Sequence, residues 1–166
     1  MNNNNKIQKL IDKQEIYEVL TRYCQGVDRC DVELIKSVYH EDAQDDHGMF
    51  KGKGLDFAQW IVDWEKENIE IGQHVIGNFS CDLQGDIAYC ETYCISFSVD
   101  KSGKNATVYN RYIDRFEKRN DCWKIADRLV VLDLTRTDDP SEPFGDVPGW
   151  DFTWGVRNKK DPMYKR

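Results

Sequence analysis

From Lys6 onward the apolar residues recur every three or four positions: Ile7, Leu10, Ile16, Leu20, Cys24 and Val27. That is the spacing of one face of an α-helix. Gly26 weakens the last turn and predicts that the helix ends near it. Asp31 stands where an N-cap would open a second helix, with Leu34, Ile35 and Val38 on its inner side. A short strand is expected around 44–47 and a turn at 50–54 ("FKGKG"). A third helix follows over roughly 55–68, marked by Phe57, Trp60, Ile61 and Trp64. Beyond Asn68 the period changes to two. The stretches 69–83, 87–99, 106–118 and 122–132 read as four long strands, separated by "QGD", "DKSGKN" and "RND". Turns this short make hairpins, so the sheet is expected to be antiparallel.

Helices first and strands afterwards indicate an α+β domain with the helices packed on one sheet face. A length of 166 residues suits one such domain. The Asn-rich residues 1–5 are expected to be frayed, residues 6–134 to form the domain, and 135–166 to form a tail. The tail is rich in Pro, Gly and Asp but carries Phe144, Trp150, Phe152 and Trp154. Those aromatic residues predict that it covers the mouth of the sheet or a neighbouring subunit.

Charge removes some partners. The formal net charge of −7 would repel a phosphate backbone, so nucleic acid is not an expected partner; the only basic run is "RNKK" at 157–160. No segment approaches the ~20 apolar residues of a membrane span, and the N-terminus has no signal-peptide pattern. The cytoplasm is therefore the expected location. Six Cys occur without any CxxC pair, which predicts reduced thiols filling a core.

Five residues could carry chemistry. Asp28 lies four residues after Cys24, beside the apolar stripe of the first helix, and Tyr23 lies on its other flank. Asp28 either caps the helix towards water or turns inward. His74 falls inside an apolar strand, where it is either a hydrogen-bonded core residue or, with a carboxylate behind it, a general base. If 44–47 is a strand, Asp45 and His47 share one face and Asp46 opposes them. Arg128 sits in an otherwise apolar strand and must reach solvent or meet a negative partner. In the functional alternative it holds an anionic or carbonyl oxygen of a ligand. No local His motif supports a metal site, and neither a nucleophile elbow nor a phosphate-binding glycine loop is present.

The order of these features resembles the SnoaL-like branch of the nuclear transport factor 2-like superfamily. The likeness runs over roughly 7–132 and rests on Tyr23 five residues before Asp28, the "GQH" strand, and "NRYIDRFEKRNDCWKIADRLVV"; "DDHG" and "KKDPMY" also fit. It implies a cone-shaped barrel: three N-terminal helices packed on a strongly curved antiparallel sheet around one pocket. Within the branch, the chain looks most like scytalone dehydratase, the bile-acid 7α-dehydratases and hexachlorocyclohexane dehydrochlorinase. That likeness implies a cofactor-independent lyase acting on an apolar cyclic substrate, with Asp28 and His74 as the catalytic dyad. Tyr23 matches a Tyr of the bile-acid enzymes, and Arg128 an Arg of the dehydrochlorinase that would bind substrate. The dehydratases have a Tyr nineteen residues after the Asp, where this chain has His47. The resemblance also implies a homo-oligomer, a trimer more than a dimer. Two alternatives stay open: a scaffold like the β-subunits of ring-hydroxylating dioxygenases, and a ketosteroid isomerase or polyketide cyclase type of enzyme.

Overall fold

The computed structural model describes residues 3–138 and 153–165. Three helices, α1 (Asn3–Asp28), α2 (Val32–Lys36) and α3 (Gly54–Asn68), pack on a six-stranded sheet. Its strands are β1 (Tyr39–Asp46), β2 (Lys51–Lys53), β3 (Ile69–Gln84), β4 (Ile87–Asp100), β5 (Asn105–Arg119) and β6 (Cys122–Asp138), in the order β2-β1-β6-β5-β4-β3. The sheet curves around the helices without closing. The four long strands form the expected antiparallel meander. One expectation fails: the sheet is mixed, because β1 pairs parallel with β6. The α3 crossover and the meander separate these two strands in sequence, so no hairpin turn could announce their pairing. The stretch 50–54 is also more than a turn, since it contains β2.

Helix α1 starts at Asn3. Its buried stripe is Ile16, Val19, Leu20, Tyr23, Cys24 and Val27; Ile7 and Leu10 share the spacing but are exposed. Asp12 pegs the helix to the sheet by accepting from Trp123 Nε1 at 3.0 Å and Lys118 Nζ at 3.1 Å. The helix runs through Gly26 to Asp28. The helix thus ends near Gly26 as expected, and Gly26 also gives clearance: a Cβ at this position would lie 2.6 Å from Ile35 Cγ1. Asp31 caps α2 as expected, accepting from Leu34 N. The core joins α1, α2 and α3 to the inward residues of β4, β5 and β6, among them Cys94, Tyr112, Phe116 and Ile125. The six Cys are free thiols. No described helix is long and apolar enough to cross a membrane.

Candidate active site

The cross-strand register places a row of inward side chains over the sheet: Cys81 opposite Cys90, Cys90 opposite Asp114, Asp114 opposite Arg128, and Arg128 opposite Asp45. The last turns of α1 lie over this row and supply Tyr23 and Asp28. Two Asp–His pairs result.

In the first, Asp28 turns inward. Its Oδ1 lies 2.6 Å from His74 Nδ1, and its Oδ2 accepts the His74 backbone N–H at 3.1 Å. One carboxylate thus holds both the ring and the main chain of one residue. An acceptor at Nδ1 requires the Nδ1–H tautomer, which leaves the Nε2 lone pair outward. Burial opposes protonation of His74, but the hydrogen bond and charge of Asp28 outweigh it and hold the imidazole above its ordinary value. Cys94 and Glu65 also face this ring.

In the second, Asp45 Oδ1 bonds His47 Nδ1, and its Oδ2 accepts from Tyr39 Oη at 2.6 Å. His47 Nε2 lies 3.0 Å from Tyr23 Oη, and its ring stacks on Phe57 at 4.1 Å. The sharing of one face by Asp45 and His47 is thus as expected. Tyr23 and His47 read from the sequence as separate candidates, but they form one chain: Asp45, His47, Tyr23. The sequence signal for Asp45 is its i, i+2 spacing to His47 on a strand. Burial pushes the Tyr23 phenol well above its ordinary range, with Arg128 acting in the opposite sense. Both imidazoles keep some solvent access, 15% of the side chain for His74 and 16% for His47.

Arg128 met its negative partner inside the fold. Its Nε and Nη2 donate to Asp114 at 2.7 and 2.8 Å, and its guanidinium lies 4.3 Å from the Tyr23 ring and 4.2 Å from the Tyr112 ring. The surface reading is therefore wrong, since neither side chain of the pair has any exposure. Nη1 is buried and has no hydrogen-bond partner among the described residues. His40, the third histidine, sits apart and bonds Glu117 O at 2.8 Å. Among the described residues, no group of three or more His, Cys, Asp or Glu side chains is arranged to hold a metal ion.

The profile of the SnoaL-like domain matches residues 8–129. The chain belongs to the SnoaL-like family. This membership places it in the nuclear transport factor 2-like superfamily, in keeping with helices on a curved sheet. An uncharacterised protein of Mycobacterium tuberculosis is 25% identical over 128 residues, which cover 74% of this chain and 86% of that protein. A crystal structure of a type 2 hexachlorocyclohexane dehydrochlorinase superposes with a TM-score of 0.76 at 16% identity, covering 84% of this chain and 99% of that one. A scytalone dehydratase-like protein of Novosphingobium aromaticivorans superposes with a TM-score of 0.73 at 16% identity, covering 86% and 99%. At such identities these two likenesses establish the shared fold.

A cleft of about 810 Å³ opens between the start of β3 and the C-terminal segment, lined by Arg29, Ile71, Gly72, Gln73, Trp154 and Arg157 among others. Neither Asp–His pair lines it.

Proposed function

We propose that this SnoaL-like protein is a small-molecule lyase of the dehydratase or dehydrohalogenase type. The observation that carries the reading is the double grip of Asp28 on His74, which leaves Nε2 as a free base with a carboxylate ready to hold its cation. In the reaction proposed, Nε2 takes a proton beside an activating group on an apolar cyclic substrate. The C–H electron pair becomes a C=C bond, and the leaving group departs with its own pair from the adjacent carbon. The Asp45–His47–Tyr23 chain supplies the acid. When His47 is protonated, Nε2–H donates to the Tyr23 oxygen, and the phenol proton passes to the departing group. Arg128 is enclosed with Asp114 and has no exposure, so it is assigned no contact with substrate; its guanidinium, 4.3 Å from the Tyr23 ring, favours negative charge developing on that phenol. Each general acid or base contributes roughly 10²–10⁴-fold. Every proton in this scheme moves between side chains and substrate, so no cofactor is called on.

The neighbours' activities support the reading. One is described as a hexachlorocyclohexane dehydrochlorinase and another as scytalone dehydratase-like, and both names denote elimination. We also propose that the chain assembles with copies of itself. Ile71, Val75, Tyr93, Phe97, Ile113 and Leu129 are exposed on the sheet face turned away from the helices. The test is a panel of hydroxylated and halogenated cyclic compounds that carry an acidic hydrogen beside the leaving group. The expected result is release of water or halide by the native chain and none by His74→Gln. Rearranged products of unchanged mass would indicate an isomerase instead. Binding without turnover would indicate a scaffold.

A further inference from the structure

Of the basic run at 157–160, Lys159 bonds Asp31 with most of its side chain exposed, whereas Arg157 reaches into the fold. Arg157 donates from Nε to Asp28 O at 3.1 Å, from Nη1 to Ile69 O at 3.2 Å, and from Nη2 to Val27 O at 3.3 Å and Glu65 Oε2 at 2.7 Å. One guanidinium thus joins the last turn of α1, the end of α3 and the first residue of β3. These include the two elements that carry the dyad, since Asp28 ends α1 and His74 lies five residues into β3. The side chain is only 14% exposed, and Glu65 only 12%. Gly72, two residues before His74, leaves room for it: a Cβ there would lie 3.2 Å from Arg157 Nη2. The segment bearing Arg157 is itself pegged down. Tyr164 Oη donates to Asp31 at 2.7 Å, and Asp161 accepts from Val156 N at 2.9 Å and Met163 N at 3.0 Å.

Helix C-termini leave carbonyls without intrahelical partners, and a cation there is favourable. A surface Lys would satisfy that need. The fork of Arg157 does more, because its planar donors fix the angle between three elements at once. We propose that Arg157, supplied by the C-terminal segment, is a positioning residue that sets the distance between Asp28 and His74. The catalytic role of that dyad is the reading proposed above, but the positioning claim concerns geometry and is testable without a substrate.

The experiment is a proton NMR titration of the three His rings in the native chain and in Arg157→Met, Arg157→Lys and Lys159→Met. Assignments come from single His→Gln variants, and His40 is set apart by titrating at about 4. His74 faces Asp28 from α1, Glu65 from α3 and Cys94 from β4. Its raised affinity for a proton depends on Asp28 remaining in contact, so losing that contact leaves burial dominant. The expected result is a fall of about one pH unit or more in the His74 midpoint for both Arg157 variants. Lys159→Met should leave His74 as it is. Arg157→Lys keeps the charge and loses the fork. If Arg157→Lys titrates like the native chain, charge alone suffices and the proposal is overturned. It is also overturned if His74 titrates natively in Arg157→Met, or if Lys159→Met lowers it equally. Should Arg157→Met fail to fold, Arg157→Lys alone decides. A failure of the elimination reading would appear separately, as absence of product in the native chain with the His74 shift intact.

Discussion

Asp28→Asn isolates the dyad with almost no change in shape. The carboxylate now accepts two N–H groups of His74, at 2.6 and 3.1 Å. An asparagine has one oxygen and one NH2: with the oxygen on the His74 backbone N–H, the NH2 faces Nδ1, so the charge-assisted bond is lost and the ring is forced to the Nε2–H tautomer, which removes the free base. Losing one charge-assisted hydrogen bond costs about 1.5–3 kcal/mol. For a domain of this size that is a fall in Tm of roughly 3–12 °C. The loss also has a pH signature. The folded-state pKa of His74 is raised, with Asp28 overcoming the opposing effect of burial. A group of this kind contributes stability that is fully present below its unfolded value, near 6.5, and that disappears as pH rises through the folded value. The stability gap between native and Asp28→Asn should therefore be wider at about pH 5.5 than at about pH 9. Urea denaturation at both pH values measures this gap. On a substrate found by the panel, turnover should fall by about 10²–10⁴-fold. A gap of equal size at both pH values, with native turnover, would refute the dyad.

Three further outcomes are expected. Arg128→Ala strands Asp114, whose pKa burial already raises against the pull of Arg128. The cost should be about 3–5 kcal/mol in urea denaturation, and a loss near zero would contradict the buried pair. Tyr23→Phe removes the hydroxyl held 3.0 Å from His47 Nε2. It should cost only about 1 kcal/mol in stability while cutting kcat by about 10²-fold or more, with stability and rate measured on the same preparation. Glu at both Tyr93 and Phe97, exposed on the outer sheet face, should shift the particle towards the 19.5 kDa monomer in light scattering; a native particle that is already monomeric would remove the proposed assembly.

Much of this molecule was decided locally and could be read from the chain. The three- and four-residue rhythm of α1, the Asp31 cap and the period-two strands between short turns depend on neighbours in sequence. Physical chemistry fixes those before any tertiary contact forms. The inward turn of Asp28 was legible only as one of two alternatives, because a helix edge faces both core and water until something packs against it. The packing of β3 chose between them. The parallel pairing of β1 with β6 had no local signal, and that pairing sets Asp45 in register with Arg128. It therefore also decided that Arg128 and Asp114 would be buried together, since a guanidinium can leave water only where the fold has already brought it a carboxylate. The union of Tyr23 with His47 and the reach of Arg157 across more than 120 residues to the end of α1 belong to the same class. Such contacts come from chain closure over long separations, and residue spacing carries no record of them.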